Sequence, residues 1–308
     1  MKKANNTVLF LMGLALVVVM GVALSVNNTR QIEAEPLAEV SDAPELDNTS
    51  LVADAQLAKG STSQTNIDDA EIVEDQPAVA AGAYLMSGKQ LTGWKVDKRW
   101  PIASITKLLS AYVAETLMDP DQSVVISQRA VDTVGTTGDF KLGELFSVRD
   151  LVKAMLIVSS NDAAAALSQN YGEEQFVAEM NAVASRVGMV NSRFVEPTGL
   201  SVQNQSTVED LLKLVRYVWE SDEEFFRITR QSTDIIVDTN TGVARQLINI
   251  NRFSARSDFL GGKTGTLPEA DSNLISVFSV GGFSEPVVIV VLGSKDRFGE
   301  TQKILLEL

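Results

Sequence analysis

The sequence contains no cysteine and no histidine in its 308 residues. The lack of histidine excludes a Ser-His-Asp triad, and the two absences together exclude a Cys-His dyad and any metal site built on either side chain. Disulfide bonds are excluded as well, although a chain without cysteine is compatible with any cellular compartment. If this protein activates a serine, we therefore expect a lysine to be the base.

Positive charge is also scarce. Lys and Arg number 26 against 40 Asp and Glu, which gives a net charge of −14. Binding to nucleic acid depends on basic side chains that neutralise phosphates, so this balance argues against such a partner. Twelve acidic and two basic residues fall within residues 27–77, and the remainder of the chain is only mildly acidic.

Residues 27–77 lack aromatic side chains and show no sustained hydrophobic periodicity. A segment of this composition cannot bury enough apolar surface to offset the conformational entropy of the chain. The sequence therefore predicts an acidic, disordered linker over residues 27–77.

Residues 7–26 contain no charged side chain and are rich in Leu, Val and Met. Twenty helical residues span roughly 30 Å, the thickness of the hydrocarbon core of a bilayer, so we expect a transmembrane signal-anchor helix. A cleaved signal peptide is the alternative, with Ala23-Leu24-Ser25 as its cleavage site. Lys2 and Lys3 place residues 1–6 in the cytoplasm and the rest of the chain outside it.

From residue 78 onward the patterns become those of a folded domain. Residues 79–86 and 89–96 read as two strands around the tight-turn pair Ser87-Gly88. Helical patterns dominate the middle, one of them opened by the capping sequence Ser206-Thr207-Val208-Glu209, and strand patterns return near the C-terminus. For residues 78–308 we therefore predict an α+β fold: one antiparallel sheet built from both ends of the domain, flanked by helices, with an inserted helical subdomain.

Ser104 and Lys107 lie in the first turn of a predicted helix over residues 103–117. Residues three apart share one face of a helix, so the Ser104 hydroxyl and the Lys107 amine can meet. This pair supplies a nucleophile and a base. On its own the spacing is weak evidence, because a helix-capping serine followed by a solvated lysine gives the same pattern.

Two further motifs follow in order along the chain. Ser159-Ser160-Asn161 ends a helical run, and Lys263-Thr264-Gly265-Thr266 follows a glycine pair. The first could be an ordinary capping loop. The second is not a phosphate-binding P-loop, because the first glycine of that motif would fall at Ser257. Three motifs in this order, at domain-like spacing, favour a catalytic site.

With these motifs the chain resembles the penicillin-recognising serine D,D-peptidases, and among them the low-molecular-mass D-alanyl-D-alanine carboxypeptidases. The likeness extends over residues 79–308 and includes several further segments. These are Pro101-Ile102-Ala103, Asp162-Ala163-Ala164, Met180-Asn181, Pro197-Thr198-Gly199-Leu200 and Asn249-Ile250-Asn251-Arg252. The resemblance implies a β-lactamase/transpeptidase-like fold, with membrane attachment through the N-terminal helix.

The resemblance also implies roles for the first two motifs. Ser104 would attack the penultimate carbonyl of a peptide ending in D-Ala-D-Ala and form an acyl-enzyme, with neutral Lys107 as its base. Ser159 would relay a proton to the leaving amine, and Asn161 would hold a substrate amide and orient Lys107. A neutral lysine requires a pKa about three units below the free value near 10.4.

The third motif would bind the substrate. Lys263, Thr264, Gly265 and Thr266 form the implied substrate-binding strand, which would receive the terminal carboxylate. Backbone N–H groups of Ser104 and Thr266 would form the oxyanion hole. The resemblance implies no metal and no cofactor. Its partners would be the peptidoglycan stem peptide, β-lactam antibiotics as covalent inhibitors, and the membrane that holds the catalytic domain on the extracytoplasmic side.

Other functions remain open at this point. A D,D-endopeptidase would share every motif. A class A-like β-lactamase would need a glutamate that activates water, and Glu196 is the candidate, although the following Pro197-Thr198-Gly199-Leu200 resembles the peptidases. A non-catalytic cell-wall-binding protein would not need Ser104 and Lys107 to be intact. Asp162 is expected to serve the N-terminus of the following helix.

Overall fold

The computed structural model describes residues 77–308 except residues 136 and 137. The predicted cytoplasmic N-terminus, the transmembrane helix over 7–26 and all but the last residue of the linker over 27–77 lie outside these residues, so these assignments stay predictions. Within the described part of the chain, no helix combines the length and the apolar composition needed to cross a bilayer.

Eleven strands and eight α-helices are present in the described residues. The strands are β1 Ala80–Leu85, β2 Gln90–Trp94, β3 Trp100–Pro101, β4 Ser123–Val125, β5 Leu145–Ser147, β6 Gln205–Ser206, β7 Thr233–Val237, β8 Ala244–Ile248, β9 Phe259–Leu267, β10 Asp271–Phe278 and β11 Val287–Ser294. The helices are α1 Thr106–Leu117, α2 Gln128–Val131, α3 Val148–Ile157, α4 Asn161–Tyr171, α5 Glu173–Val187, α6 Val208–Ser221, α7 Glu223–Arg230 and α8 Arg297–Glu307. Two 3-10 turns cover Ala103–Ile105 and Arg252–Ala255.

The main sheet has five antiparallel strands in the order β2-β1-β11-β10-β9, so both ends of the domain form one sheet as predicted. Its side chains alternate between two cores because successive residues of a strand point to opposite faces. Val288, Val290 and Leu292 of β11 face the helical core. Ile289 and Val291 face a second core that α8 covers.

The helices inserted between β2 and β9 surround α1, which contacts α3, α4 and α5. Residues 106–114 of α1 are all buried. This burial fixes the helix that follows Ser104. The predicted α+β architecture with an inserted helical subdomain is therefore confirmed.

Three local features of the fold differ from the predictions. Thr207, not Ser206, caps α6, because the Thr207 side chain accepts a hydrogen bond from the Asp210 N–H while Ser206 pairs in β6. Strands β7 and β8 fall among the strand patterns that were predicted to join one sheet, but they pair with each other in a separate two-stranded sheet. Ser104 lies in the 3-10 turn Ala103–Ile105 that precedes α1 and not within the α-helix itself.

Candidate active site

Ser104 sits where the 3-10 turn, the edge strand β9 and the loop at Gly199 meet. A Cβ added to Gly265 would lie 3.2 Å from the Ser104 nitrogen and 2.6 Å from the Ile102 oxygen. At Gly199, whose φ is +83°, a Cβ would lie 2.9 Å from the same nitrogen. Ala103 also has a positive φ of 50°, a conformation that costs energy for a residue with a side chain and that is concentrated at functional sites. The backbone is thus closely packed around the Ser104 N–H.

Lys107 is completely buried, and its Nζ lies 3.0 Å from Ser104 Oγ. The same nitrogen donates to Asn161 Oδ1 at 2.6 Å and to the Thr198 carbonyl oxygen at 2.5 Å. Both of these oxygens can only accept hydrogen bonds. A neutral amine has two protons and one lone pair, so its protons would go to these two acceptors. The lone pair would then face the Ser104 hydroxyl, which is the arrangement required of a base.

The surroundings of Lys107 favour the neutral amine. Burial lowers the pKa of Lys107 from 10.5 to about 7, against the opposing influence of the Glu196 and Asp162 carboxylates. Removing an ammonium group from water destabilises its charged form, which explains the direction of the shift. Near neutral pH, a substantial fraction of Lys107 is therefore deprotonated.

Ser159 and Lys263 face each other across the site, although 104 residues separate them in the sequence. Lys263 Nζ donates to Ser159 Oγ at 2.8 Å and to the Thr264 carbonyl oxygen at 2.9 Å. Because Ser159 accepts from Lys263, its own hydroxyl proton is free to be donated elsewhere. Burial lowers the pKa of Lys263 well below its usual value, and repulsion by Lys107 and Arg297 adds to this effect. Ser159 has a φ of +61°.

Asn161 connects Lys107 to a neighbouring loop. Its Oδ1 accepts from Lys107, and its Nδ2 donates to the carbonyl oxygens of Val134 at 2.7 Å and Gly135 at 3.2 Å. The amide therefore orients Lys107, as the resemblance implies, while its N–H groups hold the loop. Ser160, between the two predicted site residues, caps α4 by accepting from the Ala163 N–H at 3.1 Å.

Strand β9 places the third motif beside Ser104 and forms an edge of the main sheet. The Gly262 N–H points away from β10, because it donates to Thr229 Oγ1 at 2.8 Å. Backbone groups alternate sides along a strand, so the N–H groups of Thr264 and Thr266 point to the same free edge. Gly265 between them has no side chain to hold the strand away from Ser104.

Arg297 contacts strand β9 beside the third motif, and the sequence did not predict it as a site residue. Its Nη1 donates to Thr266 Oγ1 at 2.7 Å and to the Gly265 carbonyl oxygen at 2.9 Å. Asp296 caps α8 by accepting from the Gly299 N–H, which makes Arg297 the first residue of the helix. A cation is unfavourable at a helix N-terminus. The position of Arg297 at the start of α8 was therefore the one sequence signal that this side chain has a role outside the helix.

Glu196 lies near the site, and its carboxylate is engaged by neighbouring donors. Its Oε2 accepts from the N–H of Thr198 at 2.6 Å and the hydroxyl of Thr198 at 2.5 Å. Its Oε1 accepts from the N–H groups of Gly199 and Ser201 and from Asn204 Nδ2 at 2.8, 3.2 and 2.8 Å. Five donors leave neither oxygen free to activate water, which argues against the β-lactamase alternative.

Asp162 is the second residue of α4 and is almost fully buried. Among the described residues, no group hydrogen-bonds to either of its carboxylate oxygens. Ser160 performs the capping that was expected of this region. Burial raises the pKa of Asp162 to about 6, and its electrostatic partners are Asp139 and Lys107. The carboxylate therefore acts on the site through its charge.

Comparisons with known proteins identify the family of this chain. The family model described as D-alanyl-D-alanine carboxypeptidase matches residues 70–296. A D-alanyl-D-alanine endopeptidase of Pseudomonas aeruginosa is 40% identical over 149 residues, which are 46% of this chain and 48% of the relative. A D-alanyl-D-alanine carboxypeptidase of Escherichia coli is 29% identical over 260 residues, 77% of this chain and 63% of the relative. The chain thus spans about half to two thirds of the length of these curated relatives.

Solved structures give the same result for the fold. The Streptomyces K15 DD-transpeptidase has a TM-score of 0.69 and 26% identity, covering 74% of this chain and 95% of that one. A D-alanyl-D-alanine carboxypeptidase of Mycobacterium tuberculosis has a TM-score of 0.68 and 27% identity, covering 76% and 90%. Since the family model covers well over half of the sequence, the chain belongs to the D-alanyl-D-alanine carboxypeptidase family of serine peptidases.

Proposed function

We propose that this protein is a serine D-alanyl-D-alanine carboxypeptidase that removes the terminal D-alanine from peptidoglycan stem peptides. One observation carries the proposal: Lys107 Nζ lies 3.0 Å from Ser104 Oγ while its other two partners are acceptors only. This contact orients a neutral amine toward the one hydroxyl that the fold places against an edge strand. Family membership supplies the substrate class.

In the first step, Lys107 takes the Ser104 proton as the Oγ forms a bond to the penultimate carbonyl carbon. The negative charge that develops on the carbonyl oxygen would be stabilised by the N–H groups of Ser104 and Thr266. Each such donor contributes roughly 3–4 kcal/mol to the stability of the transition state. The close packing of Gly265 and Gly199 around Ser104 holds one of these donors in place before the substrate arrives.

Collapse of the intermediate breaks the peptide bond and expels D-alanine. Ser159 donates its hydroxyl proton to the leaving amine and recovers a proton from the Lys107 ammonium, which returns Lys107 to its neutral form. Lys263, Thr264 and Thr266 bind the free carboxylate of the leaving residue. Water then attacks the Ser104 ester with Lys107 again as the base, which releases the shortened peptide and restores the Ser104 hydroxyl.

Labelling with a fluorescent penicillin tests the acyl-transfer chemistry. We expect one adduct on Ser104 by intact-mass analysis and peptide mapping, and none with Ser104→Ala. Lys107→Arg should be close to inactive, because a guanidinium is not deprotonated near neutral pH. An adduct on Ser159, or no adduct with a folded protein, would refute the assignment.

Release of D-alanine tests the carboxypeptidase assignment. A peptide ending in D-Ala-D-Ala should react about ten- to a hundredfold faster than its C-terminal amide, since charge-assisted hydrogen bonds contribute roughly 1.5–3 kcal/mol each. Lys263→Ala should reduce this discrimination in a protein that still folds. Equal turnover of acid and amide by the wild type would show that the pocket does not recognise a carboxylate.

A D,D-endopeptidase is the second candidate. The observation that favours it is the 40% identity to endopeptidases of Pseudomonas aeruginosa and Escherichia coli over 149 residues. The carboxypeptidases are 27–30% identical, over longer stretches. The two activities differ in whether the bond cleaved is terminal or lies within a cross-link. Digestion of a cross-linked dimer and of a monomeric pentapeptide by the same preparation separates them.

We also propose that residues 7–26 form a single-pass membrane anchor, with residues 27–77 as a flexible acidic linker to an extracytoplasmic domain. The uncharged, apolar composition of 7–26 and the preceding Lys2 and Lys3 support this arrangement. Membrane fractionation and N-terminal sequencing of the mature protein test it. A soluble form that begins near Val26 would contradict the anchor without affecting the enzymatic assignment.

A further inference from the structure

A cavity of about 470 Å³ lies beside the start of α4 and has no role in the reaction as proposed. Asp162 lines it together with Asp139, Phe140 and Lys141, which belong to the segment before β5. The volume is within the range of about 300–1,000 Å³ that is usual for ligand sites. The cavity is therefore large enough to hold an ion and the water molecules around it.

Asp162 carries the main indication of a ligand. This residue is 1% exposed, and no group of another described residue hydrogen-bonds to either of its carboxylate oxygens. A buried carboxylate without partners destabilises a fold, because it loses its hydration and gains nothing in return. Most buried polar atoms in folded proteins have a partner, and an exception points to a bound water molecule or ion. We therefore expect a bound group to contact the Asp162 oxygens.

Asp139 adds a second carboxylate to the same cavity, and the fold holds the loop around it in place. The Gly138 carbonyl oxygen accepts from Arg245 Nη1 at 2.8 Å, and the side chain of Phe140 is buried. A Cβ added to Gly138 would lie 3.4 Å from Ser160 Oγ, so this loop packs against the residue that caps α4. The two carboxylates are thus brought to one cavity before any ligand binds.

The charges around Asp162 favour a cation over a water molecule. The neighbouring Asp139 carboxylate repels it, and a water molecule would leave both negative charges uncompensated. Lys141 also lines the cavity, but neither Asp162 oxygen has its ammonium as a partner. Lys107 is the cation that attracts Asp162, and it is neutral in the reactive enzyme. A cation in the cavity would compensate both carboxylates.

We propose that the Asp139 and Asp162 carboxylates bind a calcium-like divalent cation in this cavity. Their oxygens are the donors that hard cations prefer, so the lack of histidine and cysteine does not matter for such a site. Calcium accepts irregular sets of carboxylate, carbonyl and water oxygens, whereas magnesium requires near-octahedral geometry.

The small number of acidic ligands sets the expected affinity. No group of three or more acidic side chains in the described part of the chain is arranged to hold a metal ion. Water must therefore complete the coordination of a cation held by the Asp139 and Asp162 pair. We expect a dissociation constant of about 0.1–1 mM, which is typical of weak extracellular calcium sites.

The ion would connect the loop at Asp139 to the start of α4, next to Asn161. Asn161 already makes one such connection, through the carbonyl oxygens of Val134 and Gly135, while its Oδ1 accepts from Lys107. The ion would therefore stabilise the fold around the amide that orients the base, without taking part in bond breaking. This inference concerns binding and stability and does not depend on the D,D-peptidase assignment.

Thermal unfolding of the full chain tests the proposal. Protein freed of divalent cations with EDTA is dialysed into buffers that contain from 0 to 10 mM CaCl₂. We expect 10 mM calcium to raise Tm by about 3–10 °C, because a ligand that binds only the folded state stabilises it. Calcium held loosely by the acidic residues 27–77 would bind folded and unfolded chains alike, and would not raise Tm.

Four substitutions locate the site. Asp139→Asn and Asp162→Asn should each remove at least two thirds of the rise in Tm. Asp121→Asn is the matched control, because it removes the same charge from an exposed aspartate outside the cavity, and it should keep the full rise. Lys141→Gln should tighten calcium binding about two- to fivefold, since it removes a positive charge from the lining.

Stability without calcium separates a lost ligand from a damaged fold. In calcium-free buffer Asp162→Asn should unfold at no lower temperature than the wild type, because it removes a buried, unpaired charge. If Asp162→Asn does not fold, Asp139→Asn at its more exposed position decides the matter.

Three results would overturn the inference. One is a wild-type Tm that does not respond to calcium, and another is a calcium response that both Asp139→Asn and Asp162→Asn retain in full. The third is a Lys141→Gln protein with a lower Tm and no tighter calcium binding, which would show that this ammonium satisfies the carboxylates in solution. A response to MgCl₂ as large as that to CaCl₂ would refute the assignment to calcium.

Discussion

Glu196 acts on Lys107 through a turn of the backbone. Its carboxylate accepts hydrogen bonds from the N–H groups of Thr198, Gly199 and Ser201, and the Thr198 carbonyl oxygen then accepts from Lys107 Nζ. The carboxylate thereby fixes one of the two acceptors that orient the base. Glu196 is therefore a positioning residue for the base.

Glu196→Gln should destabilise the protein, because this side chain holds the turn that carries the Thr198 carbonyl oxygen. The Gln amide places N–H donors against backbone N–H donors and removes the charge from the remaining hydrogen bonds. We expect a loss of about 2 kcal/mol or more in the free energy of unfolding, measured by denaturant titration. Glu220→Gln, at an exposed position on α6, is the matched control and should be near neutral. Equal stability of the two variants would show that the turn does not need the carboxylate.

The acylation rate should depend on pH through Lys107. The amine must be neutral to accept the Ser104 proton, and burial lowers its pKa to about 7. The rate of acylation by penicillin should therefore rise with pH through about 7 and level off above about 8. At pH 6 it should be roughly tenfold below the plateau, because each unit below the pKa reduces the neutral fraction about tenfold. Stopped-flow measurement of acylation between pH 5 and 9 tests this expectation, and a flat profile would exclude Lys107 as the base.

Asp162→Asn should move the midpoint of the pH profile of acylation to lower pH. The ionised Asp162 carboxylate raises the pKa of Lys107, so removing the charge should lower the pKa and increase the neutral fraction at pH 6. Asn occupies nearly the same volume, and neither oxygen of Asp162 has a hydrogen-bond partner among the described residues to be lost. Asp139→Asn is the control, because Asp139 influences Asp162 but is not among the charges that shift Lys107. A midpoint that stays in place, or moves upward, would contradict this role of Asp162.

Much of this site could be predicted because its key contact is local. Ser104 and Lys107 are three residues apart, and helical geometry alone brings their side chains together. The contacts that prepare Lys107 are not local: Asn161 and Thr198 approach it from 54 and 91 residues away in the sequence. Its low pKa results from burial, which depends on the packing of α1 by three other helices.

The misses have equally specific causes. Ser206 and Thr207 are both good capping residues, and sequence gives little basis for choosing between them, whereas pairing in β6 commits Ser206 to the strand. Arg297 looks like an ordinary surface cation until the sheet brings it to Thr266, across 31 residues. Strands β7 and β8 have the pattern of sheet strands, but only the tertiary fold shows that they form a hairpin of their own.

Gly265→Ala gives a direct test of how closely β9 must approach Ser104. The added Cβ would lie 2.6 Å from the Ile102 oxygen, 3.1 Å from the Ile105 nitrogen and 3.2 Å from the Ser104 nitrogen, all of them backbone atoms. Backbone cannot rotate away as a side chain can, so the strand and the 3-10 turn must separate. We expect a loss of about 1–3 kcal/mol in the free energy of unfolding, typical of overpacking.

The larger effect of Gly265→Ala should be on acylation. Separation of β9 from the turn displaces the Thr266 N–H from the Ser104 N–H, and loss of one oxyanion donor slows such reactions by about a hundred- to a thousandfold. Gly281→Ala is the matched control, since a Cβ there meets no atom within 4 Å. Both variants are compared by thermal unfolding and by the rate of penicillin acylation of Ser104. Wild-type acylation by a folded Gly265→Ala protein would show that the close contact between β9 and Ser104 is not needed, and would remove the Thr266 N–H from the proposed oxyanion hole.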